Sequence, residues 1–356
     1  NAATDAYESA REKVRRFLNA PSIDEVIFTK SSTEAINTVA YGWGMKHIGE
    51  GDEIVLSIME HHSNIVPWHF LRERKGAKLV WAPVTDDGAF DLEAFENSLT
   101  ERTKLVAITH MSNALGTVVP IKEVCRIAHE RGIAVMVDGS QGAVHMPVDV
   151  QDLGCDWYVM TGHKLYGPSG IGVLYGRRAL LDKLAPDETG GGMVVTVDYA
   201  GAKWKPSPER FEAGTPNVAD AIALGVACDY LDALGREHIA AHDAVLARVA
   251  MEKLSTLPGI RIIGPRVGAE RSGLVSFAFA DVHAHDIVTF ADEDGVALRG
   301  GHHCNQPLMR HLGLTSTTRA SFYLYNTEQE IDVLVASMRR ILKFFGTTNA
   351  HGIVKK

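Results

Sequence analysis

The sequence predicts an α/β fold with a mainly parallel sheet, followed by a smaller α+β domain. Short apolar runs alternate with helix-period segments through the first 217 residues, the pattern of strands joined by crossover helices. Runs such as Val135-Met136-Val137 are apolar without alternation, as expected of strands covered on both faces. Of the 356 residues, 46% are hydrophobic and 22% charged, enough for a large core and too apolar for a disordered chain.

Tyr7, Ala10, Val14 and Phe17 recur at helical spacing, so residues 4–18 read as a helix. Val26 to Thr29 reads as a strand and Ser31 to Trp43 as a helix. Glu53 to Leu56 is the next strand, followed by a helix from Asn64 to Lys75. Lys78 to Trp81, Lys104 to Thr109, Ile133 to Val137 and Trp157 to Met160 are further strands. The helix Ile121 to Glu130 is opened by Pro120 and closed by Gly132. The character changes after residue 217. Residues 218–255 read as long connecting helix, with Leu224, Ala227, Tyr230 and Leu231 on one face. Strands at Arg261 to Ile263, Gly273 to Phe279 and Arg319 to Tyr325, with helices near 284–293 and 327–345, make a small domain over 256–346. The expected organisation is therefore a large domain over 1–217, connecting helices over 218–255, a small domain over 256–346 and a polar, frayed tail over 347–356.

The net charge of −8 and the lack of any basic run argue against a nucleic-acid or anionic-membrane surface. No run of 18 apolar residues exists to span a bilayer. Cys125, Cys155, Cys228 and Cys304 are too few and too scattered for a disulfide framework or a thiolate zinc site. A reducing compartment fits, with the cytoplasm expected and an organelle as the alternative. The chain opens at Asn1 rather than methionine and reads as helix at once, so an upstream segment is expected.

Lys164 lies in Thr161-Gly162-His163-Lys164-Leu165-Tyr166-Gly167-Pro168, just past an apolar strand, at the sheet edge where open α/β folds bind ligands. A desolvated lysine there is a Schiff-base nucleophile; a lone one is usually a solvated loop residue. Asp138 ends the preceding strand and is followed by Gly139-Ser140-Gln141. Alone it reads as a helix cap. Together the two supply what pyridoxal phosphate needs: an amine for its aldehyde and a carboxylate for its pyridine nitrogen. Ser31-Ser32-Thr33-Glu34 has capping-box spacing, and its helix N-terminus is also an anion site, to which Thr161 and His163 could add donors. The glycines of 167–172 do not form a dinucleotide fingerprint. His61, in Glu60-His61-His62-Ser63-Asn64, is placed to stack on an aromatic ring or act as acid or base, and otherwise to cap or pack. Asn113 follows another strand and could bond a phenolic oxygen, although turns hold many asparagines.

Arg299-Gly300-Gly301-His302-His303-Cys304 surrounds a cysteine with positive charge, which favours thiolate. A zinc site is the competitor, but adjacent residues on extended backbone point opposite ways, and His283 and His285 complete no standard zinc spacing. Arg319, entering a strand, offers a fork for a carboxylate or is an ordinary surface arginine.

These motifs together resemble the group II cysteine desulfurases, SufS-like enzymes of the fold-type I pyridoxal-phosphate family. The matching stretches are Thr33-Glu34, Glu60 to Trp68, His110 to Asn113, Val137 to Gln141, Thr161 to Pro168, Phe211 to Asn217, Arg299 to Cys304 and Thr318 to Phe322. The short Arg-x-Gly-His-His-Cys loop is similar to group II. The resemblance implies a seven-stranded, mainly parallel sheet in the large domain, and pyridoxal 5'-phosphate as cofactor. It implies that Lys164 holds the cofactor, Asp138 pairs with its ring nitrogen, His61 stacks on the ring and Asn113 contacts its phenolic oxygen. Thr33, Thr161 and His163 would hold the phosphate, with Gln141 nearby and Thr215 reaching across from a second subunit. Arg319, with Arg299 and Asn113, would bind the substrate, L-cysteine. Lys164, Cys304 and His61 would carry the catalysis, with Cys304 accepting the sulfur. The family also implies a homodimer, a sulfur-acceptor protein of SufE or SufU type, delivery to an iron-sulfur cluster scaffold, and an upstream segment with a further active-site histidine. Selenocysteine lyase, aminotransferase and non-enzymatic scaffold are the alternatives.

Overall fold

The computed structural model describes residues 2–266, 271 and 273–346. The tail expected over 347–356 lies outside the described residues. The chain forms two compact units. The first comprises Asn1–Ala82, Leu92–His110 and Val119–Arg236; the second comprises Pro83–Asp91, Met111–Val118 and Glu237–Lys356. The stretch 218–255 is thus divided between the units, and two short excursions of the N-terminal half belong to the second.

The first unit is built on seven strands: β1 (Val26–Thr29), β2 (Glu53–Ser57), β3 (Lys78–Ala82), β4 (Thr103–Thr109), β5 (Ala134–Asp138), β6 (Trp157–Thr161) and β7 (Gly172–Gly176). Their spatial order is β1-β7-β6-β5-β4-β2-β3. β2 pairs in parallel with β3 and β4, β4 with β5, and β5 with β6, while β7 runs antiparallel between β6 and β1. The C-terminal ends of β1, β2, β4, β5 and β6 therefore share one sheet edge, where open α/β sheets bind their ligands. The strands other than the edge strand β3 are buried on both faces, which explains their unbroken apolar runs. Ile27, Leu56, Leu105, Met136, Trp157 and Leu174 pack with Ile36 and Trp68 in one core.

Three helices differ from their sequence reading. The helix after β1 spans Ser32–Val39 and then widens through Ala40–Gly44. There Gly44 passes so close to Leu71 that a Cβ would meet its side chain at 2.5 Å. The helix after β2 begins at Val66, behind a tight turn over His62–Asn64. The long connection breaks into Val218–Leu234 and Arg236–Leu254, because Gly235 adopts φ +83°, outside helical backbone. In the first of these helices Leu224, Ala227 and Leu231 are buried, whereas Tyr230, expected on the same face, is 50% exposed. A hairpin absent from the sequence reading, β8 (Val194–Asp198) with β9 (Gly201–Trp204), is almost wholly exposed.

A buried ion pair ties the N-terminal helix Ala2–Leu18 to the segment before Thr215. Arg11, 1% exposed, donates through Nη1 and Nη2 to Glu212 at 2.7 and 2.9 Å. Glu212 also accepts from Phe28 N–H at 2.7 Å and from the Tyr7 hydroxyl at 3.0 Å.

The second unit carries β10 (Ile260–Ile263), β11 (Leu274–Phe279), β12 (Arg299–Gly301) and β13 (Thr317–Ser321) in the antiparallel order β10-β11-β13-β12. Phe277, Ala320 and Phe322 pack against Leu246, Ala250 and Leu254 of one helix, and Ile331, Leu334 and Met338 of Glu328–Phe344. The loop 111–118 is fastened to this sheet, since Ser276 donates to Ala114 O at 2.6 Å and Arg319 to Asn113 O at 2.8 Å. Among the described residues no helix is long and apolar enough to cross a membrane.

Candidate active site

In the first unit, the sheet edge gathers the residues expected at the cofactor. Asp138 is the last residue of β5 and is 4% exposed. Its Oδ1 accepts from Ser140 N–H at 3.0 Å and from the Ser140 hydroxyl at 2.6 Å, and the Ser140 and Ser32 hydroxyls lie 2.8 Å apart. The Asp138 side chain is thereby fixed to both its own turn and the helix after β1. Gly139 and Gly142 allow this turn to sit down: a Cβ on Gly139 would run into the Tyr158 ring, and one on Gly142 into the His110 ring at 2.6 Å. His110 Nδ1 and Tyr158 Oη are 3.0 Å apart in a fully buried pair. Burial pushes His110 down to about 4, so its ring is neutral at physiological pH. Gln141 is half-buried and opens the short helix Gly142–His145.

Lys164 closes the turn Gly162–Lys164 that follows β6 and is half-buried. The turn is pinned by Gly162 N–H to Ile171 O at 2.9 Å, with Leu165 and Gly167 both donating to Gly162 O. Gly162 is required, because a Cβ there would meet the Ile171 side chain at 2.6 Å. Thr161 Oγ1 lies 3.0 Å from His163 Nδ1. Desolvation of the His163 ring, ahead of the neighbouring Lys164 charge, lowers its pKa, although the residue as a whole is exposed.

His61 caps the turn after β2, its Nδ1 accepting from Ser63 N–H at 3.1 Å. That bond makes Nε2 the protonated nitrogen of the neutral ring. Thr33 Oγ1, exposed in the first turn of Ser32–Val39, is 2.8 Å from Ser63 Oγ. The N-cap side chain of Ser31 accepts from Glu34 N–H at 3.3 Å, but the Glu34 carboxylate reaches back to Lys30 N–H rather than to Ser31. Thr215 is exposed and lines a cavity of about 150 Å³ with Lys30, Glu34, Asp187, Glu188 and Asn217.

Sequence reasoning passed over Glu60. It is fully buried, with Ser57 Oγ at 2.5 Å, Asn64 Nδ2 at 2.7 Å and Thr109 N at 3.0 Å. Burial, aided by the charge of Asp138 and opposed by these donors, pushes its pKa up to about 8. Ser32 and Ser140 were likewise missed as supports of Asp138; a small hydroxyl at each side of a turn carries no sequence signal beyond capping.

The second unit holds Asn113, Arg299, Cys304 and Arg319. Arg299 and Arg319 are cross-strand partners on β12 and β13. Cys304 is half-exposed, whereas Cys125, Cys155 and Cys228 are buried with thiol pKa values pushed up chiefly by burial. His303 and Cys304 both adopt left-handed backbone, with φ of 51° and 59°. Such backbone disfavours side chains and gathers at functional sites. Asn113 Nδ2 donates to His303 O at 2.8 Å and His302 Nδ1 accepts from Cys304 N–H at 3.1 Å. Arg319 Nε is buried with no hydrogen-bond partner among the described residues. Burial, then the charge of Arg299, lowers Arg319 to about 10, with Cys304 opposing, so it stays cationic at physiological pH.

A probable cysteine desulfurase of Halalkalibacterium halodurans is 50% identical over 344 residues, covering 97% of this chain and 84% of that protein. Among solved structures, an Escherichia coli cysteine desulfurase with an S-sulfonic acid is 42% identical with a TM-score of 0.92, covering 96% of this chain and 85% of its own. An apo cysteine desulfurase of Thermococcus onnurineus NA1 is 38% identical with a TM-score of 0.93 over the same shares. The sequence model of the aminotransferase class-V family matches residues 1–334, nearly the whole chain and both of its units, so this protein belongs to that family.

Proposed function

We infer that this protein is a cysteine desulfurase that uses pyridoxal phosphate to take sulfur from L-cysteine, releasing L-alanine and leaving a persulfide on Cys304. The observation that carries the reading is one loop cluster that joins a half-exposed cysteine on strained backbone to an arginine whose buried Nε has no hydrogen-bond partner among the described residues. A thiol nucleophile and a seat for an α-carboxylate are what the reaction asks of the protein.

The donor set of the first unit fits the cofactor. Asp138 has one oxygen committed to Ser140, and we assign the other to the ring nitrogen. The hydroxyls of Thr33 and Thr161, with His163 and Gln141, suit a phosphate at the N-terminus of Ser32–Val39. The His61 ring, its tautomer set by Ser63, would stack on the pyridine. When bound, the cofactor acts as electron sink for the substrate's α-carbon. Lys164 would hold it through Nζ and would move a proton at the α-carbon. Arg319, assisted by Arg299 and by Asn113, grips the carboxylate. The Cys304 thiolate attacks the substrate sulfur: an S–S bond forms, the C–S bond breaks, and its electron pair stays on carbon. That carbon gains a proton, so L-cysteine and enzyme thiol become L-alanine and enzyme persulfide.

The short Arg299–Cys304 loop supports assignment to group II. We further propose a homodimer in which Thr215 completes the partner's phosphate site, release of sulfur to an acceptor of SufE or SufU type for iron-sulfur cluster assembly, and action in the cytoplasm. Light scattering that finds a stable, fully active monomer contradicts the dimer. The central test incubates holoenzyme with cysteine and weighs the Cys304 peptide. Wild type gains one sulfur; Cys304→Ser keeps the cofactor and gains none. Alanine release by Cys304→Ser at the wild-type rate overturns the assignment and favours a lyase.

A further inference from the structure

We propose that His303 is a positioning residue for sulfur transfer, clamping the loop backbone that carries Cys304. The proposal rests on the reading of Cys304 as sulfur acceptor. His303 is 3% exposed and is gripped twice. Its Nε2 lies 2.8 Å from Thr317 Oγ1 on β13, and its carbonyl accepts from Asn113 Nδ2 at 2.8 Å. Thr317 is fully buried and Asn113 nearly so. Asn113 is itself held by Arg319, and its neighbour Ala114 by Ser276. A hydrogen-bonded path thus runs from β11 and β13, through the loop 111–118, to the residue before the cysteine.

Two features of His303 are unfavourable for stability. Its backbone is left-handed, as is that of Cys304, where glycine is the easy choice. Its Nδ1 is buried with no hydrogen-bond partner among the described residues, which costs solvation. A residue retained at such cost serves the geometry it imposes. It does not serve as an acid or base: burial, then Arg319 and Arg299, hold its pKa down to about 3, so the ring is neutral throughout the working range. Its action is to hold Cys304 where the thiolate meets the substrate sulfur, and misplacement of about 1 Å in such a contact costs of the order of a hundredfold in rate.

The test uses holoenzyme of wild type, His303→Ala, Thr317→Val and the double variant. Cysteine binding, read from the change in the visible band, keeps its wild-type concentration dependence. Single-turnover persulfide formation on Cys304, read by mass spectrometry, slows at least about tenfold in His303→Ala and about threefold in Thr317→Val. Because both act through one contact, the double variant is no slower than His303→Ala. Wild-type persulfide rates in either single variant, or losses that multiply in the double variant, overturn the proposal. If His303→Ala yields no holoenzyme, Thr317→Val decides alone by the same rate. Cys304→Ser, run alongside, separates the two failures: full turnover without the thiol sinks the function, not only the positioning role.

Discussion

Arg319→Gln tests the carboxylate seat quantitatively. In the native protein Arg319 Nη1 is occupied by Asn113 O, and Nε is buried without a hydrogen-bond partner among the described residues. In the proposed seat the Nε edge of the guanidinium is therefore the one offered to the carboxylate, in a two-bond fork. Hydrogen bonds to charged groups contribute about 1.5–3 kcal/mol each, and a glutamine amide returns one neutral bond of about 0.5–1.5 kcal/mol. The net loss for the two-bond fork is about 2.5–4.5 kcal/mol, which at about 1.4 kcal/mol per decade raises the Kd for cysteine about 60- to 1,600-fold. Stability moves little, because two changes oppose. The bond to Asn113 O is weakened, while the repulsion between cross-strand Arg299 and Arg319 is relieved. Both effects are on the order of 1 kcal/mol. The assay is a cysteine titration of the holoenzyme followed by its visible absorption, with thermal unfolding in parallel. A Kd within about threefold of wild type, in a variant that unfolds normally, refutes the carboxylate role.

Lys164→Ala should abolish the covalent visible band and make cofactor retention reversible on dialysis; a band that survives shows that another amine holds the cofactor. Gly139→Ala drives a methyl into the Tyr158 ring and should cost about 1–3 kcal/mol of stability, seen as a lowered Tm; an unchanged Tm would mean that the Asp138 turn is not packed as described. Glu60 predicts a pH effect of defined sign. With its pKa raised from 4.5 to about 8 by burial, the folded protein keeps a proton that the unfolded chain releases from about pH 5 upward. Wild-type stability therefore falls relative to Glu60→Gln as pH rises from 5 to 8, by up to about 1.4 kcal/mol per unit, and urea midpoints that differ equally at all pH values exclude it.

Much of this protein is determined by local pattern. Unbroken apolar runs such as Val135-Met136-Val137 are strands because only a doubly covered sheet buries both of their faces. Once those strands are parallel, Asp138 and the Lys164 turn must emerge at one edge, so their placement at that edge was legible from position alone. Strained loops leave a trace in composition too, and the glycines before His302 marked the cysteine loop. What the tertiary structure decided are contacts between residues distant in sequence, to which periodicity is blind. Arg11 finds Glu212, Ser32 reaches Ser140, and His303 is gripped by Asn113 and Thr317. The same holds for burial: Glu60 sits in a polar-looking motif, yet the fold closes over it and raises its pKa. The exposed hairpin of β8 and β9 and the break at Gly235 were unread for a related reason. Neither has an amphipathic rhythm set by a core, since one lies outside it and the other is a single change of φ. Local sequence sets which backbone is cheap; the fold sets which polar groups lose water and meet, and the chemistry depends on the second.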